Sequence, residues 1–354
     1  PRVLTEKKTT GKLITAASAA YAQVRVRKVL TRWVAGTTRS GNMMRADADY
    51  ESALETQSLM GTVVEIVDEK SYWRQVNTPE PYTAWCTSLG LQEMTEEEIV
   101  LYKAAPKYIC TAMHSGVYSE PSASSQRLSD MSLGNLVRIV YTGTGNRLKA
   151  SCKGRWVEVL LPDGRKGWTP AADVVTFDKW AESHELTAEN IVNTARQFTG
   201  IPYLWGGASS KGLDCSGLVR LTFFMNGYLL PRNASQQVNY GHVIDMECDH
   251  SIAPGSDQLR EEMLRRTCNL QAGDLVFFGS PATAESKERV THVGIYIGNG
   301  EIIHASHKVR INSLIPGEKN YYENSHRLLK ARRFIGWEGP GMTPIIRSSA
   351  YMAR

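Results

Sequence analysis

Hydrophobic positions along this chain change period near residue 180. Before that point they alternate in short runs bounded by turn residues: 61–67, 71–76 and 82–86 each read as strands. The same order returns between 113 and 177, with a run at 133–140, another at 155–160, a Pro162-Asp163-Gly164-Arg165 turn and then Gly167-Trp168-Thr169. The pattern predicts an internal repeat of two small β-barrels. From Thr187, a suitable N-cap, the spacing lengthens to that of a helix, with Ile191, Ala195 and Phe198 on one face and a stop at Gly200-Ile201-Pro202. A second helix is predicted from Cys215 to Gly227. Leu218, Val219, Leu221, Phe223 and Phe224 make it apolar on most sides, so it should be central. Strands follow at 274–278, 292–297, 301–307 and 328–334, and the polar stretch 245–268 reads as a loop insertion with a short helix. The whole is α+β. After Trp337, Gly339-Pro340-Gly341 and Ser348-Ser349 predict a disordered end.

Composition narrows this little. With 354 residues, 42% of them hydrophobic and 22% charged, the chain has room for two or three domains, and no apolar run suggests a membrane span. The net charge of +5 is unevenly spread. Residues 1–39 hold nine Lys or Arg against Glu6, a charge of +8, so the remainder carries +5 − 8 = −3. A near-neutral body with a basic arm lacks the basic face of a nucleic-acid binder. The arm itself reads either as a basic extension or as a truncated export signal, on Lys7-Lys8, the short apolar stretch after Lys12, and Ala20-Tyr21-Ala22. In the second case the protein belongs to the periplasm or cell envelope, and otherwise to the cytoplasm. Six cysteines are scattered without metal-type spacing, so no metal is expected.

Candidate chemistry starts at Cys215, which opens the second helix, where a helix dipole favours an anion. His292 and His304 lie on a later strand pair, and their usefulness depends on register. A two-residue Asn299-Gly300 turn would put them on opposite faces. A three-residue loop at Gly298-Asn299-Gly300, with Gly300 left-handed, would place His304 opposite Gly294 and make His292 its diagonal neighbour. The odd-length turn is the one expected. Cys215 would then be a nucleophile, His292 its base and His304 the group that orients that base.

Six ordered motifs carry a resemblance. Pro202-Tyr203-Leu204-Trp205-Gly206-Gly207, Asp214-Cys215-Ser216-Gly217-Leu218-Val219, Pro231-Arg232-Asn233-Ala234-Ser235-Gln236-Gln237, Gln271 through Phe278, His292-Val293-Gly294-Ile295-Tyr296 and Ile303-His304-Ala305 together resemble NlpC/P60 cysteine peptidases over about 187–336. The two β repeats resemble bacterial SH3 domains. The combination is similar to γ-D-glutamyl-L-diamino acid endopeptidases of the dipeptidyl-peptidase VI type. The resemblance implies a papain-like NlpC/P60 domain at 181–337, SH3-like domains at 40–107 and 108–180, an N-terminal extension at 1–39 and a C-terminal tail at 338–354. It implies Cys215, His292 and His304 as catalytic residues and Tyr203 as an oxyanion donor with the Cys215 N–H. Asp214, Ser216, Trp205 and Ser235 would line the groove.

The same resemblance implies a monomer, without cofactor, that cuts the γ-D-glutamyl bond to diaminopimelate or Lys in a peptidoglycan-derived peptide. The first SH3-like domain would close the groove and bind the free amine of L-Ala through Tyr82 and Glu55. A buried ammonium needs such partners. Two positions depart from the family pattern: Glu55 stands two residues away from the usual acid, and Asn233 replaces an aspartate. The alternatives are a non-catalytic wall-binding protein and a thiol amidase or acyltransferase of the same fold.

Overall fold

The computed structural model describes residues 28–31 and 43–352. Two antiparallel β units precede a mixed α/β unit. In the first, the strand order is Leu54–Gln57, Met43–Arg45, Thr83–Thr87, Trp73–Asn77, Val63–Lys70, Lys28–Thr31 and Leu91–Glu93. Alternation explains the elements: along Trp73–Asn77 and Thr83–Thr87 the side chains of Val76, Ala84 and Cys86 turn inward, and Met44, Val64, Ile66 and Leu91 complete the core. The second unit repeats the plan around Ile109, Val117, Leu136, Val137 and Val159. Both are consistent with the SH3-like barrels that the repeat suggests. The helix Glu96–Ala104 escaped the sequence reading, although its capping box of Thr95 and Glu98 is written in the chain, as did the shorter Phe177–Glu182 and Ala234–Gln237.

The third unit is a six-stranded antiparallel sheet ordered His242–Ile244, Leu328–Arg333, Leu275–Ser280, Arg289–Gly298, Glu301–Ser306, Lys308–Ser313. The helix Cys215–Phe224 lies on one face, where Leu218, Val219, Leu221 and Phe223 join Val293, Ile295, Ile303 and Ala305 in one core. Ala188–Gln197 runs beside it, capped by Thr187, which accepts the Asn190 N–H at 3.1 Å.

The short helix expected within 245–268 is Gln258–Thr267, whose Leu259 and Met263 cover the other face of the sheet against Val276, Phe278, Tyr296 and Leu328, while Glu262 and Arg266 are buried by pairing with each other. Two expectations elsewhere need correction. The end of the chain is ordered. Thr343–Pro344 pairs with Tyr228–Leu229, Ile345 N–H donates to Gly227 O at 2.8 Å, and Tyr351 is buried beside Phe177 and Phe224. Gly, Pro and Ser there mark bends, while the pocket that takes Ile345 and Tyr351 exists only once other elements have assembled. Finally, Lys28–Thr31, inside the expected extension, is a strand that fills the gap between Val63–Lys70 and Leu91–Glu93. Two otherwise open edges gain a backbone partner there. The signal-like segment lies outside the described residues. No described helix is long and apolar enough to cross a membrane.

Candidate active site

Cys215 is the first residue of its helix, and Asp214 is the N-cap, accepting the Gly217 N–H at 2.7 Å and the Gly206 N–H at 3.0 Å. The Cys215 sulfur lies close to the backbone N–H of Val293, next to His292, so helix and sheet bring Cys215 and His292 to one place.

The hairpin has the expected register by a different route. Ile295 pairs with Ile303 and Tyr296 with Ile302, but the chain turns through Asn299-Gly300 closed by Gly298 and Glu301, and a bulge after Tyr296 absorbs the odd residue. Gly298, Asn299 and Gly300 all have positive φ, which is why this turn is glycine-rich. Gly294 lies against His304: a Cβ there would stand 3.3 Å from the His304 Cβ and 3.2 Å from Ile302 Cδ1. His292 and His304 share a face, with His292 Nε2 2.8 Å from His304 Nδ1. This leaves His292 Nδ1 as the nitrogen able to receive a proton.

His304 is fully buried, and its Nε2 lies 2.9 Å from Asn312 Oδ1. Tyr322 packs edge-on against His304, 4.6 Å between centroids, and near His292 at 6.0 Å. Burial, with the neighbouring His304 and Arg327, lowers His292 to about 3, and burial lowers His304 to about 4. The thiol moves the other way: burial and the Asp214 carboxylate push Cys215 up to about 11, against the helix terminus that alone would lower it. Burial thus favours the uncharged form of the thiol and of both imidazoles.

Tyr203 sits beside Cys215. Burial and the nearby Cys215 and Asp214 push its phenol up to about 12, so it keeps a donor O–H throughout the working pH range. Trp205 is 63% exposed and Ser235 is also open. Asp214 and Ser216 are instead buried. Arg232 donates to Asp214 through both terminal nitrogens (3.1 and 2.5 Å), to Ser216 Oγ (2.9 Å) and, from Nε, to Thr56 Oγ1 of the first β unit (2.8 Å). Arg220, on the nucleophile's helix, pairs with Glu80 of that unit. Two buried arginines thus bind the first β unit to the base of the site. On the same side, the Tyr82 hydroxyl donates to Glu55 and lies within hydrogen-bond reach of Asn233.

The sequence reading assigned no role to Arg232, Asn312 or Tyr322. Arg232 stood inside a quoted motif, unassigned. For Asn312 the signal would have been a third strand after His304, and nothing in the sequence marks Tyr322. Among the described residues no group of three or more His, Cys, Asp or Glu could hold a metal ion.

Comparison with known proteins agrees with this architecture. The NlpC/P60 family pattern matches residues 200–330. Over 295 residues, 81% of this chain and 77% of the relative, the sequence is 28% identical to a gamma-D-glutamyl-L-lysine dipeptidyl-peptidase of Bacillus cereus. It is 27% identical over 282 residues to dipeptidyl-peptidase 6 of Lysinibacillus sphaericus, covering 76% of this chain and 87% of that one. In fold it resembles a crystal structure of an NlpC/P60 family protein from Bacillus cereus, with a TM-score of 0.64 and 23% identity over 87% of this chain and 99% of the other. Residues 200–330 thus form an NlpC/P60 domain, the domain of a cysteine peptidase family.

Proposed function

We propose that this peptidase hydrolyses the bond between γ-D-glutamate and the diamino acid of peptidoglycan stem peptides, on fragments that begin with L-Ala. The contact that carries the reading is His292 Nε2 to His304 Nδ1 at 2.8 Å, with the Cys215 sulfur close to the residue after His292. The names of the relatives supply the substrate class.

In the first step His292 Nδ1 takes the thiol proton as the sulfur bonds to the γ-carbonyl carbon. The oxyanion that forms is met by the Cys215 N–H and the Tyr203 O–H. Collapse breaks the C–N bond, and His292 returns the proton to the departing amine, leaving a thioester. Water, deprotonated by the same nitrogen, attacks the thioester carbon, the C–S bond breaks to release L-Ala-D-Glu with a free γ-carboxylate, and His292 returns the proton to the sulfur. His304 keeps the His292 ring in plane and shares the charge that it gains. Mass spectrometry of products from L-Ala-γ-D-Glu-diaminopimelate tests the bond: cleavage anywhere else refutes the assignment.

Tyr82 and Glu55, with Asn233, form the end of the groove that receives the L-Ala amine. The Glu55 carboxylate supplies the one negative charge of this trio. Asn233→Asp should then raise kcat/KM for the free-amine tripeptide over its N-acetyl counterpart by about tenfold, because a second carboxylate meets the ammonium. Glu55→Gln should lower that ratio. An unchanged ratio in Glu55→Gln would place amine recognition elsewhere.

The histidines also set a pH dependence. The base works as neutral imidazole, and burial lowers its pKa, so the neutral form survives to lower pH than in an exposed histidine. The acid limb of kcat/KM is expected clearly below the ordinary histidine value of about 6.5. A limb at or above that value, measured on substrate with no titration of its own in the range, would contradict a buried neutral base.

A further inference from the structure

We infer that Asn312 is a positioning residue that dictates which nitrogen of each histidine carries a proton, so that His292 presents a bare Nδ1 to the thiol. This rests on the Cys215–His292 reading above and extends it to a side chain on the neighbouring strand. Lys308–Ser313 pairs with Glu301–Ser306 so that Asn312 lies opposite Ile302 and diagonal to His304, on the same face.

The argument starts from a group whose role is not negotiable. A backbone carbonyl oxygen can only accept, and that of Asn320 stands 2.6 Å from one end of the Asn312 amide. That end is therefore the NH₂, and the amide oxygen faces His304 Nε2 at 2.9 Å. An amide oxygen donates nothing, so Nε2 of His304 carries the proton and, in a neutral ring, Nδ1 is bare. Its neighbour at 2.8 Å, His292 Nε2, must then donate, which leaves Nδ1 of His292 with a lone pair. Each link runs one way. Reversing any of them puts two protons or two lone pairs face to face in a site where His304 and Asn312 are buried.

The charged and titratable groups around the rings favour the neutral forms this chain of bonds requires. Arg310, across the strand pair from His304, and Arg327 both disfavour an imidazolium, Tyr322 covers the rings, and Cys215 is the proton's source. Glu301 lies one step outside, accepting from the Asn320 amide at 3.0 Å, and so fixes the segment whose carbonyl begins the sequence.

The test is imidazole ¹⁵N NMR on the full chain, labelled at histidine, with steady-state kinetics. In the parent, His292 and His304 should both appear as Nε2–H. Asn312→Leu removes the acceptor, frees His304 to protonate at Nδ1 and drives His292 to the Nδ1–H form. There kcat should fall roughly 10²-fold, while KM stays within about twofold. Asn312→Gln keeps both the acceptor and the NH₂ donor and should retain the Nε2–H pattern with more of kcat than Asn312→Leu. Three results would overturn the inference: Nδ1–H on either ring in the parent, a Leu variant in which His292 remains Nε2–H, or a Gln variant that keeps the Nε2–H pattern yet loses as much kcat as the Leu variant. If the Leu variant does not fold, the parent spectrum decides. The tautomers can be read in any folded form of the enzyme, so a failure of the Cys215 assignment, scored by activity of Cys215→Ala, stays separate from a failure of this one.

Discussion

Cys215→Ala is expected to reduce hydrolysis of L-Ala-γ-D-Glu-diaminopimelate by on the order of 10⁴-fold or more, because no acyl-enzyme can form without the sulfur. His292→Ala should cost on the order of 10²- to 10⁴-fold, the usual contribution of a general base. The two effects should not add, since base and nucleophile act in the same step. Folding is not the cause in the first case: the substitution removes one half-buried atom at the first residue of a helix whose cap, Asp214, and apolar face are untouched. Matching thermal melts with activity lost would establish the role, whereas turnover in Cys215→Ala close to that of the parent would remove it. This experiment also separates an enzyme from a wall-binding protein of the same fold.

The second large effect is on stability, at Arg232→Ala. Arg232 is 1% exposed and joins four groups: both Asp214 oxygens, Ser216 Oγ and Thr56 Oγ1. Removing one member of a buried ion pair costs about 3–5 kcal/mol, since the other charge stays behind. Asp214 keeps the N–H groups of Gly206 and Gly217, so the lower end is expected, about 3 kcal/mol. For a unit of this size that is roughly 6–12 °C in melting temperature. Asp214→Asn in the same chain should recover part of the loss by discharging the orphaned carboxylate. Activity should fall further than stability explains, because Arg232 also holds the cap of the nucleophile's helix against the first β unit. A melt within a degree or two of the parent would show that the clamp contributes little.

The arginine clamp shows how the β units relate to catalysis. Thr56 and Glu80 come from the first β unit, and both meet arginines of the peptidase unit at the base of the site. Tyr82 and Glu55 come from the same unit and lie at the groove's end beside Asn233. The first β unit thereby supports the base of the site and, on the function proposed above, would form one wall of the substrate trench.

Much of this was legible in local pattern, because its causes are local. Alternation in 61–86 and 133–169 makes strands, the Thr187 cap and 3.6-residue spacing make a helix, and Asp214 before an apolar run starts the next one at Cys215. The register that puts His292 and His304 on one face followed from counting residues across a glycine-rich turn, although a bulge, not a longer loop, absorbs the odd residue. What the chain concealed depends on partners distant in sequence. Nothing local marks Arg232 or Glu262 as buried, and Asp214 and Arg266 become their partners only in the folded chain. Ile345 and Tyr351 read as a loose end until Phe177 and Phe224 enclose them. The thiol's pKa is the clearest case. A helix terminus alone lowers it, and only the assembled fold, by burying the sulfur beside Asp214, reverses the sign. Sequence by itself determined which residues could do chemistry and on which elements they ride, since propensity and period act over a few residues. The tertiary structure alone decided their protonation and their partners, since desolvation and charge act between groups that meet only when the chain is folded.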